Sequence, residues 1–197
     1  MKKSFYITTP IYYPSAKPHM GHAYSSISAD VIARFKRLED YEVNFLTGTD
    51  EHGQKIQKAA EKENKNPQEF CDQISKIFFD LTKTLNLSNT DFIRTTEHRH
   101  YDTVQQLWNL LQKNDQIYLS KYSGWYSVSD EAFYTQDEIE EVDGIKRNIA
   151  SGSSVEWVEE ESYFFRLSKW TEPLLKFYKE NPDFIHLNLG EMKLLNL

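Results

Sequence analysis

Apolar residues follow two different periods in the first part of the chain. Residues 5–9, rich in aromatic and β-branched side chains, predict a strand, and residues 42–48 predict a second strand that ends at Gly48. Between them, an apolar stripe at helical spacing predicts a helix over residues 21–38; its members are Ile27, Val31, Phe35 and Leu38. Two strands joined through one helix predict a βαβ unit with parallel strands and a right-handed crossover.

After the second predicted strand the residues mainly favour helices, and after Lys113 they favour short strands. A polar helix is predicted from residue 54 to 65, and Asn66-Pro67 predicts the start of another helix, with Asn as N-cap and Pro at the first position. A short strand at 91–95 and a helix carrying Leu107 and Leu111 follow. After Lys113 the residues favour small β-hairpins and a last helix over 172–180. We therefore expect two regions, 1–113 and an insertion at 114–197.

Composition narrows the class of protein. The chain has 197 residues, of which 39% are hydrophobic, so it can bury a core. The chain has 23 Lys and Arg and 30 Asp and Glu, which gives a net charge of −7. This charge argues against a protein that binds nucleic acid over its whole surface, but it allows a local basic patch. A single cysteine excludes internal disulfides and a Cys-rich zinc site. Without a long apolar run or a signal-peptide pattern, we expect a cytoplasmic protein with no membrane contact.

The loop after the first predicted strand holds the strongest chemical signal. Its prolines, at positions 10, 14 and 18, predict a stiff loop without helix or sheet pairing, and it ends in His19-Met20-Gly21-His22 at the start of a helix. The carboxyl end of a parallel strand and the positive end of a helix favour phosphate binding. Gly21 would let a ligand approach the backbone, and His19 and His22 would direct nitrogen donors at one phosphoryl group. Incidental loop histidines or a metal pair are the alternatives.

The loop after the second predicted strand is acidic. It reads Gly48-Thr49-Asp50-Glu51-His52-Gly53 and should lie beside the histidine loop, because both strands are parallel. The Asp50 carboxylate suits the ammonium group of an amino acid. A solvated turn that caps a helix explains the same residues.

Several of these segments together resemble a known family. Residues 6–14 with His19–His22, which matches the HIGH signature of class I aminoacyl-tRNA synthetases, resemble the start of bacterial methionyl-tRNA synthetases. Residues 43–53, 94–96, 124–126 and 161–166 match the same family in order and spacing, and the resemblance reaches residue 185.

The resemblance implies a fold and a set of roles. The fold class is α/β: the first half of a Rossmann-type parallel sheet with a small α+β connective-peptide insertion. The activity is methionine–tRNA ligase, which uses ATP with Mg²⁺, methionine and tRNA(Met). His19 and His22 would stabilise charge on the ATP phosphates, Ile11 and Tyr13 would line the methionine pocket, and Asp50 would hold the methionine ammonium.

The chain departs from the family at two places. Many relatives carry a zinc knuckle that begins Cys-x-x-Cys, and here Ser127 and Asp130 stand at those positions, so we expect no zinc. The family also continues to roughly twice this length or more, with the rest of the sheet, a Lys-Met-Ser-Lys-Ser loop and an anticodon-binding domain. We therefore expect an N-terminal fragment that is inactive alone, leaves a strand edge and apolar faces uncovered, and needs a complementary C-terminal piece.

The last residues point to a frameshift. Relatives usually continue after residue 185 with a stretch like Pro-Glu-Ser-Arg-Arg-Asn-Glu-Val. One permitted coding of residues 186–197 recovers that stretch when a single C is inserted after the His186 codon. We expect residues 186–197 to be out of frame; a genuine short protein with its own tail is the alternative. Two other functions stay open: a non-catalytic fragment that binds ATP or a partner, and another HIGH-signature nucleotidyl transferase.

Overall fold

The first part of the chain forms a parallel sheet. In this computed structural model, which describes residues 2–184, strands β1 (Ser4–Thr8), β2 (Glu42–Thr49) and β3 (Asp91–Arg94) lie in the order β1-β2-β3. The register pairs Thr8 with Leu46 and Thr49 with Arg94. The predicted βαβ unit is confirmed, and within residues 2–184 β1 and β3 are the two edges of this sheet.

Helices connect the strands, and their caps follow from local sequence. Helix α1 (Met20–Leu38) joins β1 to β2, and α2 (Gln54–Lys62) and α3 (Pro67–Thr84) join β2 to β3. The Asn66 side chain accepts a hydrogen bond from the backbone N–H of Gln68, with Pro67 at the first helical position, as predicted. Helix α4 (His98–Lys113) follows β3.

Two apolar clusters hold this α/β unit together. One lies between α2, α3 and the loop after β1, and its buried members are Ile56, Ala60, Phe70, Cys71, Ile74 and Phe78. The other joins α1 to β2 and is built from the small side chains Ala29 and Ala33 with Val43 and Phe45. Because α1 buries only small or polar side chains, its larger apolar residues are left outside this contact.

The apolar stripe predicted on α1 is exposed to solvent. Val31 is 61% exposed, Phe35 56% and Leu38 87%, and Tyr6 on the edge strand β1 is 64% exposed. Monomeric proteins seldom expose contiguous apolar patches of this kind. The uncovered strand edge and apolar faces expected from the sequence are therefore present in residues 2–184.

The rest of the described chain consists of short antiparallel elements and a helix. Strands β4 (Ile117–Ser127), β5 (Ala132–Tyr134) and β8 (Glu156–Phe165) form one sheet in the order β5-β4-β8, β6 (Ile139–Val142) pairs with β7 (Ile145–Asn148), and α5 (Thr171–Glu180) comes last. Among the described residues, one compact unit contains residues 2–107 and 125–156, and the other contains Trp108–Gly124 and residues 157–184. The boundary at 113/114 stays a prediction.

The second unit has its own local contacts. The Arg166 guanidinium donates to the carboxylate of Asp115 at 3.0 Å, and the Trp170 indole N–H donates to Gln116 at 2.9 Å.

Of residues 2–184, no helix combines the length and apolar character needed to cross a membrane. The expected frameshift at residues 186–197 lies outside the described residues.

Candidate functional site

The backbone brings the two predicted loops side by side. The N–H of Tyr12 donates to the carbonyl oxygen of Gly48 at 3.0 Å, and the N–H of Asp50 donates to the carbonyl oxygen of Tyr12 at 2.9 Å. Tyr12 thereby forms a parallel bridge with Thr49. The expectation that the proline loop makes no sheet pairing was wrong at this residue, because Tyr12 lies between the prolines and keeps its own N–H donor.

His19 and His22 form a reciprocal cap at the start of α1. The His19 Nδ1 atom accepts a hydrogen bond from the backbone N–H of Gly21 at 3.1 Å, and the His22 Nδ1 atom accepts one from the backbone N–H of His19 at 3.0 Å. An Nδ1 atom that accepts a hydrogen bond carries no proton, so in each neutral ring the proton is on Nε2. Their ring centroids are 3.8 Å apart, so two Nε2–H donors stand together at a helix N-terminus.

Aromatic neighbours fix the ring of His22. Tyr12 lies 4.8 Å and Phe78 5.1 Å from it between ring centroids, both edge-on, and the Tyr12 hydroxyl lies 2.9 Å from the Ser26 hydroxyl oxygen. Burial, and then the adjacent His19, lower the pKa of His22 below its usual range. His22 is therefore a neutral donor near pH 7, held in one orientation.

A cavity of about 300 Å³ lies against this pair. It is lined by Ile11, Tyr12, Tyr13, Ser15, Ala16, Lys17, His19 and His22, so four of the predicted site residues meet at one place. Gly21 is not part of the lining. A Cβ atom at Gly21 would lie 2.9 Å from the His19 Cε1 atom, so the glycine gives room to the His19 ring.

Asp50 stands next to this cavity without lining it. The negative charge of Glu131, partial burial and the charge of Asp50, in that order, raise the pKa of Tyr13. Helix α2 has Gly53 as its N-cap and no side-chain cap bond, so the turn caps the helix through Gly53 and not through the Asp50 side chain. In the described part of the chain no side chain hydrogen-bonds to the Asp50 carboxylate, which leaves both oxygens able to accept from a ligand.

Glu51, which sequence reasoning did not single out, organises the same loop. Its side chain is fully buried and accepts hydrogen bonds from Arg94 Nε at 2.7 Å and Nη2 at 2.9 Å, and from the hydroxyls of Thr49, Ser75 and Thr96. Burial pushes the pKa of Glu51 upward, but these hydrogen bonds outweigh it and leave the pKa below the usual range. The signal in the sequence was Arg94-Thr95-Thr96, at the end of a strand.

The positions of the family's zinc knuckle are occupied by a hydrogen-bond network. The Asp130 carboxylate accepts from the hydroxyls of Tyr134 at 2.9 Å, Ser151 at 2.6 Å and Ser153 at 2.7 Å, and the Ser127 hydroxyl accepts from the Asp130 N–H at 3.3 Å. These side chains hydrogen-bond to one another and include no thiolate, so they do not form a suitable zinc site. Residues 2–184 contain no group of three His, Cys, Asp or Glu side chains suited to a metal. That the protein holds no zinc stays a prediction.

Known proteins resemble the chain along nearly its whole length. It is 55% identical to the methionine–tRNA ligase of Rickettsia conorii, over 94% of this chain and 36% of that protein, and 51% identical to methionine–tRNA ligase 1 of Bacillus cereus, over 98% and 30%. A structure of Mycobacterium tuberculosis methionyl-tRNA synthetase in complex with methionyl-adenylate superposes with a TM-score of 0.92 at 45% identity, over 98% of this chain and 38% of that one. The chain thus spans about a third of the length of these relatives.

The family model described as "tRNA synthetases class I (M)" matches residues 5–194. That match takes in the parallel sheet, the capped histidine pair at the start of α1 and the acidic loop after β2. The chain belongs to the class I (M) tRNA synthetase family.

Proposed function

We propose that this chain supplies the N-terminal part of a methionine-activating site in a cytoplasmic methionine–tRNA ligase. In that reaction the methionine carboxylate attacks the α-phosphorus of ATP, giving methionyl-adenylate and pyrophosphate, and the methionyl group then passes to tRNA(Met). The observation that carries the proposal is the pair of Nε2–H donors of His19 and His22, each fixed by a hydrogen bond to its Nδ1 atom. Phosphoryl transfer depends on such preorganised donors more than on covalent help from the protein.

The two histidines act on the phosphates of ATP. Each donates its Nε2–H to a phosphate oxygen, where negative charge increases as the α-phosphorus is attacked. The dipole of α1 adds positive potential at the same end of the helix. Mg²⁺, which is used together with ATP, would supply positive charge at the phosphates when bound.

The methionine site shares the cavity that the two histidines line. Ile11 and Tyr13 line the cavity with apolar surface that suits a thioether side chain, and the Asp50 carboxylate accepts hydrogen bonds from the ammonium group. The backbone bond from the Asp50 N–H to the Tyr12 carbonyl oxygen holds these groups at fixed distances. A relative solved with methionyl-adenylate supports this ligand for the fold.

The test is an exchange assay in a complete enzyme. Residues 5–184 replace the matching segment of the Rickettsia conorii enzyme, and methionine-dependent ATP–pyrophosphate exchange is measured. His22→Asn keeps an acceptor at the Nδ1 position but removes the Nε2 donor, so it should lower the exchange rate about 10²-fold or more with an unchanged melting temperature. Full exchange by His19→Asn and His22→Asn would refute the assigned roles.

The same assay separates the alternatives. ATP binding by the chimera without exchange would favour a non-catalytic ATP- or partner-binding fragment, and exchange with an acceptor other than methionine would favour a different HIGH-signature nucleotidyl transferase. The chain by itself should show little or no exchange, because it spans only about a third of the relatives and needs a complementary C-terminal piece for the remaining site.

A further inference from the structure

The backbone of Asp50 is held on both sides of its Cα atom. Its own N–H donates to the carbonyl oxygen of Tyr12 at 2.9 Å, and the next N–H along the chain, that of Glu51, donates to the hydroxyl of Thr95 at 2.8 Å. Each residue has only two soft backbone torsions, and these two bonds fix both of them for Asp50. The direction of the Asp50 Cα–Cβ bond is therefore set before any ligand arrives.

Thr95 is placed by the sheet itself. It directly follows β3, and its N–H donates to the carbonyl oxygen of Thr49, the last residue of β2, at 3.2 Å. Thr95 is only 5% exposed, so water cannot replace its hydroxyl as the acceptor for the Glu51 N–H. The position of this hydroxyl thus depends on the pairing of β2 with β3.

Glu51 is also fixed at its other polar groups. The Cys71 thiol donates to the Glu51 carbonyl oxygen at 3.8 Å, and the buried carboxylate accepts from Arg94 at 2.7 and 2.9 Å. Arg94 is itself held by an ion pair with Asp72 of α3. The residue that follows Asp50 cannot shift without breaking a buried ion pair, which is costly.

We propose that Glu51 and Thr95 are positioning residues, which aim the Asp50 carboxylate at the ammonium group of methionine. They act through the backbone of Asp50 and not by contact with the ligand. A carboxylate that is already oriented binds an ammonium group without first losing freedom, so the pair gains affinity. The proposal rests on the proposed function, in which Asp50 receives that ammonium group.

The test measures methionine and ATP binding to the complete chimera by isothermal titration calorimetry. Thr95→Val keeps the shape of the side chain but removes the acceptor of the Glu51 N–H. It should weaken methionine binding about tenfold or more and leave ATP binding unchanged. Thr95→Ser brings the hydroxyl back and should restore the methionine affinity. Unchanged methionine binding by Thr95→Val would overturn the proposal.

A second variant tests the role of Glu51. Glu51→Gln has the same size, but its amide group turns a donor toward side chains that themselves donate, so the residue cannot keep its place. Methionine binding should weaken as it does in Thr95→Val, again at unchanged ATP affinity. Equal losses of methionine and ATP affinity would contradict a positioning role, because they would show general damage to the fold.

The matched control is Thr90→Val. The Thr90 hydroxyl accepts from the backbone N–H of Phe45 at 2.9 Å, so this variant removes the same kind of hydrogen bond from β2, away from the acidic loop. It should leave methionine affinity unchanged. Equal losses in Thr95→Val and Thr90→Val would overturn the proposal, because any loosening between β2 and β3 would then explain the effect.

A double variant shows whether Thr95 acts through Asp50. In Asp50→Asn the carboxylate charge is absent, so the addition of Thr95→Val should cost much less methionine affinity than it does in the unchanged chimera. The same loss in both backgrounds would mean that Thr95 acts by another route, and the proposal would fail.

Failure of this proposal differs from failure of the proposed function. If the unchanged chimera exchanges normally but Thr95→Val binds methionine as tightly, the positioning roles are wrong and the proposed function stands. If methionine affinity depends on Thr95 as described while no exchange occurs, the positioning roles stand and the activation step is wrong.

Discussion

Replacing Arg94 should strongly destabilise the α/β unit. The Arg94→Met variant keeps much of the aliphatic length of the side chain but removes both hydrogen bonds to the Glu51 carboxylate, at 2.7 and 2.9 Å. The Glu51 side chain has no solvent exposure, so water cannot replace the lost donors. A buried carboxylate is then left with only the hydroxyls of Thr49, Ser75 and Thr96.

The magnitude follows from the number and kind of bonds. Hydrogen bonds to charged groups contribute about 1.5–3 kcal/mol each, so the loss of two gives about 3–6 kcal/mol. Breaking one partner of a buried ion pair costs about 3–5 kcal/mol in other proteins, which agrees. Because domains of this size are stable by only about 5–15 kcal/mol, the variant should lose a large fraction of its free energy of unfolding.

The assay is urea unfolding followed by circular dichroism, with Arg99→Met as the control. Arg99 pairs with Asp91 on the surface, both side chains being nearly half exposed, so its loss should cost about 1 kcal/mol or less. An Arg94→Met midpoint no lower than that of Arg99→Met would refute the view that Glu51 depends on Arg94.

The dependence on pH gives a second readout. Because the pKa of Glu51 is lowered in the folded chain, its stabilisation is present above the unfolded pKa, about 4.3, and is lost as the pH falls through the lower folded value. In Arg94→Met, burial without the guanidinium raises that pKa, and the penalty disappears once the carboxyl is protonated. The difference between the two proteins should therefore shrink as the pH falls, and a constant difference would contradict the assignment.

Three further outcomes are expected. Gly48→Ala should destabilise the chain by at least about 2 kcal/mol in urea unfolding, because the new Cβ would collide with the carbonyl oxygen of Ile93 between β2 and β3; an unchanged midpoint would show that the strands can separate freely. His22 should titrate below the ordinary histidine pKa of about 6.5 in an NMR pH series, and a value above it would contradict its burial. Val31→Glu/Phe35→Glu should reduce self-association in sedimentation velocity without lowering the melting temperature, because both side chains are exposed; a lower melting temperature would mean that they pack in the core.

Local pattern was enough to predict most of the first part of the fold. Strand, helix, strand and the Asn66-Pro67 helix start are each encoded within a few residues, so they follow from spacing and capping preferences alone. The position of the two loops also followed, because parallel strands place their carboxyl ends at one edge of the sheet. His19 and His22 were predicted from that placement and Ile11 and Tyr13 from the family resemblance, and all four line one cavity.

The sequence did not show which face of helix α1 packs against the sheet. The stripe of α1 that carries Val31 and Phe35 is the more apolar one, yet α1 packs on β2 through Ala29 and Ala33, because small side chains let a helix lie close to a strand. Periodicity shows that a helix has an apolar face but not which partner covers it. Similarly, Tyr12 pairs with Thr49 although it lies in a proline-rich loop. This pairing depends on the position of the end of β2 in space, which the local sequence does not show.

The sequence by itself determined the α/β class and the order of its first elements. Only the tertiary structure decided that Glu51 is bound by Arg94, 43 residues away, and that both Nδ1 atoms of the histidine pair are occupied. The physical reason is that caps and periodicities depend on neighbours along the chain, whereas burial and ion pairing depend on neighbours in space.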